Sequence, residues 1–88
     1  MIFIITHLLG RDSSWWGAIG AASRGLDAGI ILTGSAAYMA AEGWLAEAAG
    51  GLDTTVLRIG FSVPAGVKAM DASEFAAALA GAKKVISI

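Results

Sequence analysis

The sequence contains no cysteine. The chain can therefore form no disulfide and no cysteine-ligated zinc site, and it has no thiol nucleophile. It has a single histidine, whereas tetrahedral zinc sites draw on several histidine or cysteine ligands, so we expect no structural metal. The chain cannot carry out thiol chemistry by itself, and nothing in its residue pattern requires a cofactor.

Charged residues are also scarce. They make up 15% of the chain, against about 25% in an ordinary soluble domain, while hydrophobic residues make up 57%. The net charge is −1, and Lys83–Lys84 is the one pair of adjacent basic residues. Nucleic-acid binding, which needs a patch that neutralises phosphates, is therefore not expected. So few charges cannot cover the surface of a small domain, which indicates either a membrane protein or a subunit that buries surface against other chains.

Long apolar runs are missing as well. The longest uncharged stretch, Ala28–Ala41, has 14 residues, and a membrane-spanning helix needs about 20. We therefore predict a cytoplasmic chain that is not inserted in a membrane and that forms oligomers.

Five apolar segments predict β-strands. Several are rich in β-branched residues without polar alternation, which is typical of strands buried on both faces of a parallel sheet. The predicted strands are Met1–Thr6, Ala28–Thr33, Thr54–Ile59, Gly66–Met70 and Lys83–Ile88.

Three helices are predicted between these strands. The first follows an N-cap at Asp12–Ser13 and ends near Gly25, the second runs from Ser35 to about Ala49 before Gly50–Gly51, and the third starts at Asp71. Glu74 follows Asp71 at the spacing of a capping box. The expected buried stripes are Trp15, Ile19 and Ala22 on the first helix, and Phe75, Leu79 and Ala82 on the third.

Residues 1–88 thus predict one α/β domain with three layers, α/β/α, around a mostly parallel five-stranded sheet in the order β-α-β-α-β-β-α-β. About six residues separate the predicted third and fourth strands, although a parallel crossover generally needs a dozen or more. The fourth strand is therefore either antiparallel or joined by a tight extended connection.

Two stretches of this pattern are distinctive. One is ILTGSAAYMA, a strand followed by a turn of small residues and an aromatic residue, and the other is the ending GVKAMDASEFAAALAGAKKVISI. In this order and at this length the chain resembles the DsrE/DsrF/DsrH family of sulfur-relay proteins, and is most similar to its DsrH (TusB) branch.

The resemblance implies a subunit of a complex that transfers persulfide sulfur, in tRNA thiolation or sulfur oxidation. DsrE-like subunits of that family carry the persulfide on a cysteine after the third strand, whereas DsrH-like subunits help to build the heterohexamer. The corresponding stretch here, residues 58–62, has the sequence RIGFS. No catalytic residue can be transferred to this chain, which also lacks the family's longer segment between strands three and four.

Four residues are candidates for ligand binding. His7 follows the first strand, where open α/β folds bind ligands, and Gly34–Ser35 places backbone N–H groups at a predicted helix start. Tyr38 lies one turn into that helix. The run Ile-Ile-Thr-His also resembles the mannose-type phosphocarrier IIA domains, whose phosphorylated histidine follows strand one. Here, however, Leu8–Leu9 replaces the expected glycine, and the chain is much shorter.

Four large apolar residues are candidates for a subunit interface: Trp15, Trp16, Met39 and Trp44. Adjacent helical residues point about 100° apart, so Trp15 and Trp16 cannot both pack on one sheet. Interfaces favour Trp, Tyr and Met over charged residues.

Three functions remain open. The first is a cysteine-free accessory subunit that forms homo- or hetero-oligomers with cysteine-bearing DsrE/DsrF-like subunits. The second is a phosphocarrier or small-ligand domain that uses His7. The third is a homo-oligomeric α/β protein that shares only the fold.

Overall fold

A five-stranded sheet forms the centre of the molecule. The computed structural model describes residues 1–58, 63 and 67–88. Its strands lie side by side in the order β4-β3-β2-β1-β5, and every adjacent pair is parallel. The predicted fold class is confirmed. The strands are β1 (Ile2–Ile5), β2 (Gly29–Leu32), β3 (Asp53–Leu57), β4 (Ala69–Met70) and β5 (Val85–Ser87).

The direction of β4 is settled by its pairing with β3. Val56 pairs with Ala69 and Leu57 with Met70 in parallel register, and the Arg58 N–H donates to the Met70 carbonyl at 2.9 Å. The strands are shorter than predicted, so eleven residues, 58–68, connect them. That length approaches the usual minimum for a parallel crossover. The predicted strand limits at Ile59 and Gly66 lie outside the described residues.

One face of the sheet carries the main hydrophobic core. Side chains alternate along a strand, so Phe3 and Ile5 of β1, Ile30 and Leu32 of β2, and Val56 of β3 point to the same side. All five belong to one buried cluster, which is closed by residues from the chain segments that cover this face: Leu9, Trp16, Ile19, Ala36, Met39, Leu45 and Ala49.

The first helix, α1 (Ser14–Ser23), begins as predicted at Ser13. The Ser13 hydroxyl oxygen accepts a hydrogen bond from the Trp15 N–H at 3.2 Å. The predicted buried stripe is wrong by one position at both ends, and of its three residues only Ile19 is buried, since Ala22 is exposed. The helix buries Trp16, Ile19 and Ser23, while Trp15 is exposed.

The predicted second helix, Ser35 to Ala49, is wrong as a single element. The chain instead forms a 3₁₀ helix, Gly34–Ala41, followed by a short helix α2, Leu45–Ala48. The break falls at Glu42, where the backbone is extended and its N–H donates to the Met39 carbonyl. Gly43 follows immediately, and glycine is among the poorest helix formers. Because of the break, both Met39 and Leu45 reach the core.

The third helix, α3 (Ala72–Gly81), has the predicted capping box. The Asp71 carboxylate accepts from the Glu74 N–H at 2.8 Å, and the Glu74 carboxylate accepts from the Asp71 N–H at 3.2 Å. The predicted stripe is only half-buried, and no α3 residue is fully buried.

α3 packs on the second face of the sheet. Ile2 and Gly29, which alternate with the core residues of β1 and β2, line a cavity of about 300 Å³ together with Ala78 and Ala82. The fold therefore has three layers. Among residues 1–58, 63 and 67–88, α3 is the one helix on this face, which accounts for its partial burial and for the exposure of Val85 on β5.

The helices are short, with ten residues each in α1 and α3. Across residues 1–58, 63 and 67–88, none is long and apolar enough to cross a bilayer.

Candidate functional site at the carboxyl edge of the sheet

All five strands are parallel, so their carboxyl ends meet at one edge of the sheet. The residues that follow β1, β2 and β3 at this edge are Thr6, Thr33 and Arg58. Ligands of open parallel α/β sheets bind outside the carboxyl ends of the strands. This edge is therefore the first place to look for a site.

Two of the predicted ligand segments adjoin there. The Thr33 N–H donates to the Ile5 carbonyl at 2.9 Å, which holds the end of β2 against the end of β1. Gly34 follows with a positive φ of 56°, and a Cβ added to it would lie 3.4 Å from the Thr6 carbonyl oxygen. The structure thus brings the Thr6–His7 turn next to Gly34 and Ser35.

His7 itself is exposed. Within the described ranges, its imidazole makes no hydrogen bond or ion pair, and no group of three or more His, Cys, Asp or Glu residues could hold a metal ion. Ser13 caps α1. Ser35 is exposed beside the turn. The arrangement offers an accessible imidazole and small polar groups, without a carboxylate that orients the ring.

The backbone at Gly34 gives a first prediction. Replacing Gly34 with Ala should lower the free energy of unfolding by about 1–2 kcal/mol, because left-handed backbone is unfavourable for residues with a Cβ. The matched control is Gly20→Ala, at a helical position where an added Cβ meets open space. That change should stabilise the protein by about 0.4–1 kcal/mol. Chemical denaturation of both variants measures the difference, and equal effects would contradict the described turn.

The predicted interface residues differ in burial. Met39 and Trp16 are buried in the core of the chain, so core packing accounts for them. Trp44 is half-buried and packs edge-to-face against Trp16, with ring centroids 5.9 Å apart. Trp15 and the ligand candidate Tyr38 are exposed, at 48% and 77% of their surface.

Sequence reasoning missed one residue of this region, Leu8, which is 56% exposed. Its neighbour Leu9 is buried, and the Leu9 N–H points to the Met39 sulfur at 3.4 Å. The pair Leu8–Leu9 in a loop was the available signal. This loop buries Leu9 and leaves Leu8 exposed to solvent.

A cavity of about 490 Å³ lies away from this edge, beside β3 and the 3₁₀ helix. Its wall combines apolar residues, including Leu45, Val56 and Val67, with polar and charged ones, among them the exposed ion pair between Lys68 and Asp53. None of the predicted ligand residues lines it.

Comparison with protein-family models, with curated proteins and with solved structures yields no match to this chain.

Proposed function

We propose that the chain is a cysteine-free accessory subunit of a cytoplasmic sulfur-relay complex of the DsrE/DsrF/DsrH type. In this role it binds cysteine-bearing DsrE/DsrF-like subunits and holds them in the assembly that transfers persulfide sulfur, in tRNA thiolation or in sulfur oxidation. It carries no sulfur itself.

One observation carries the proposal: a parallel sheet with the expected order of elements whose third strand is followed by no cysteine. Persulfide transfer needs a thiolate that attacks and then leaves. Of the stretch where the family carries its cysteine, Arg58 is described and Ile59–Ser62 lies outside the described residues. The sequence itself excludes a thiolate anywhere in the chain.

The exposed apolar residues are consistent with a subunit role. Leu8, Trp15 and Tyr38 are exposed at the edge where the family's active cysteines lie. When another protein covers a large apolar side chain, the free energy falls by roughly 25 cal/mol for each Å² that is removed from water. An accessory subunit needs such a surface, whereas an enzyme with a small substrate needs a built pocket.

The proposal predicts how the chain behaves with a sulfur donor. Incubated alone with cysteine and a cysteine desulfurase, the chain should gain no sulfur atom, because its three methionine thioethers cannot bear a persulfide. Intact-mass spectrometry measures this. The control is a cysteine-bearing sister subunit captured with the chain from its native host, which should gain sulfur under the same conditions.

A second candidate rests on His7, whose exposed imidazole sits at the carboxyl edge beside Gly34 and Ser35. A phosphocarrier would take up phosphate there from a phosphorylated donor and lose uptake in His7→Ala. We expect no uptake in the wild-type chain, since no described group orients the ring. Histidine phosphorylation detected by mass would replace the sulfur-relay proposal with this one.

A further inference from the structure

Three exposed apolar side chains lie on adjoining segments at the carboxyl edge. Leu8 stands next to Leu9, whose N–H reaches the Met39 sulfur, and Tyr38 is the neighbour of Met39. Trp15 belongs to the first turn of α1, and this turn is tied to the same loop through Gly10. There the Trp16 indole N–H donates to the Gly10 carbonyl at 2.9 Å, and the Ser13 N–H does so at 3.1 Å. We call Leu8, Trp15 and Tyr38 the carboxyl-edge patch.

The exposed area of the patch falls within the range of functional apolar patches. At 56%, 48% and 77% exposure, a leucine and two aromatic residues present on the order of 300–400 Å². The largest apolar patch on a typical monomer is roughly 300–600 Å² and is often functional. A stable interface buries about 800 Å² on each partner, with an apolar centre and a polar rim. The three side chains of the patch supply about half of that area or less, and polar residues around them would supply the rest.

The rim of the patch indicates what covers it. Arg11 and Asp12 lie in the same loop, both exposed, between Leu8 and Trp15. Within the described part of the chain neither takes part in an ion pair. Arg11 and Asp12 are adjacent and carry opposite charges. When two copies are related by a two-fold axis, Arg11 of each copy can therefore meet Asp12 of the other. With a net charge of −1, two copies also repel each other little.

We propose that the carboxyl-edge patch is a self-association surface, on which a second copy of this chain docks about a two-fold axis. Leu8, Trp15 and Tyr38 form the apolar centre, and reciprocal Arg11–Asp12 pairs form the rim. This inference goes beyond the proposed function: it assigns the exposed side chains named there to the contact between two copies of this chain, and purified chain alone tests it.

Two leucines provide a matched test of the centre. Leu8 and Leu26 are exposed to nearly the same extent, 56% and 54%, but Leu26 follows α1 toward the opposite edge of the sheet. In sedimentation equilibrium the wild-type chain should form a dimer at micromolar concentration. Leu8→Lys should raise the dissociation constant at least ~30-fold, because it places a charge in an apolar interface. Leu26→Lys should leave it within about twofold, since single surface changes have small effects.

Charge reversal tests whether the partner is a second copy. Arg11→Asp and Asp12→Arg should each weaken self-association about tenfold, because each variant faces a copy with like charges. An equimolar mixture of the two variants should associate as tightly as wild type, since each reversed charge then meets its opposite. Circular dichroism spectra and thermal unfolding midpoints that match wild type establish that all variants are folded.

Three results would overturn the proposal. One is a wild-type chain that stays monomeric at about 100 µM. That result would contradict self-association even if the patch were found to bind a cysteine-bearing partner. The second is equal loss of association in Leu8→Lys and Leu26→Lys. The third is a mixture of the two charge variants that associates no better than either alone. If the proposed sulfur-relay function is wrong, these three measurements of self-association keep their meaning, because none of them involves sulfur.

Discussion

Replacing Trp16 with Ala should lower the free energy of unfolding by about 3–5 kcal/mol. Trp16 is 7% exposed, packs edge-to-face on Trp44, and donates its indole N–H to the Gly10 carbonyl. Truncation removes the buried ring, leaves a cavity, and removes one of the two hydrogen bonds that the Gly10 carbonyl accepts. The measurement is urea denaturation followed by circular dichroism.

The neighbouring tryptophan is the matched control. Trp15→Ala removes the same side chain one position earlier, where it is half-exposed, and should change stability by less than about 1 kcal/mol. The opposite ranking would mean that α1 is rotated by about 100° and that Trp15, as the sequence pattern predicted, faces the core.

Replacing Phe3 with Ala should have an effect of the same size, about 3–5 kcal/mol. Phe3 is 2% exposed in the interior strand β1, between Ile30 of β2 and Ile86 of β5. Three strands and the covering segments meet at this ring, so the cavity cannot close without shifting the sheet.

Phe75→Ala is the comparison, because Phe75 is half-buried on α3. Its truncation should cost about 1 kcal/mol, in proportion to the smaller apolar area that it hides. Equal effects at Phe3 and Phe75 would contradict the unequal burial of the two sheet faces.

The strands could be predicted from the sequence because their pattern is local. The β-branched runs in β1 and β2 and the alternation with helices led to the parallel sheet, and the Asp71–Glu74 capping box marked the start of α3. Strand lengths could not be predicted, because pairing decides where a ladder ends. The pairing of Val56 and Leu57 with β4 also set the direction that the sequence left open.

The helices were less predictable because their sequences are apolar on every side. In SWWGAIGAAS both tryptophans fit a stripe that contains Ile19. The choice of Trp16 depends on contacts with Gly10 and Trp44, which lie outside the helix. The alanine-rich stretch after β2 has no polar face to fix one helix, so the chain breaks at Glu42–Gly43 and buries both Met39 and Leu45.

The candidate site was located by topology more than by motif. The ends of β1 and β2 placed His7, Gly34 and Ser35 at one edge, since parallel strands share their carboxyl edge. Leu8 was missed because a leucine in a loop has no periodic pattern, and its exposure follows from the burial of Leu9 against Met39.

We propose above that this chain supports sulfur transfer without carrying sulfur. The direct measurement is sulfur loading of the captured cysteine-bearing subunit, followed by intact-mass spectrometry over time, with and without this chain. We expect loading within the assembly to be faster and more complete when the chain is present, while the chain's own mass stays unchanged. If the subunit assembles and loads sulfur equally well without the chain, the accessory-subunit role is wrong.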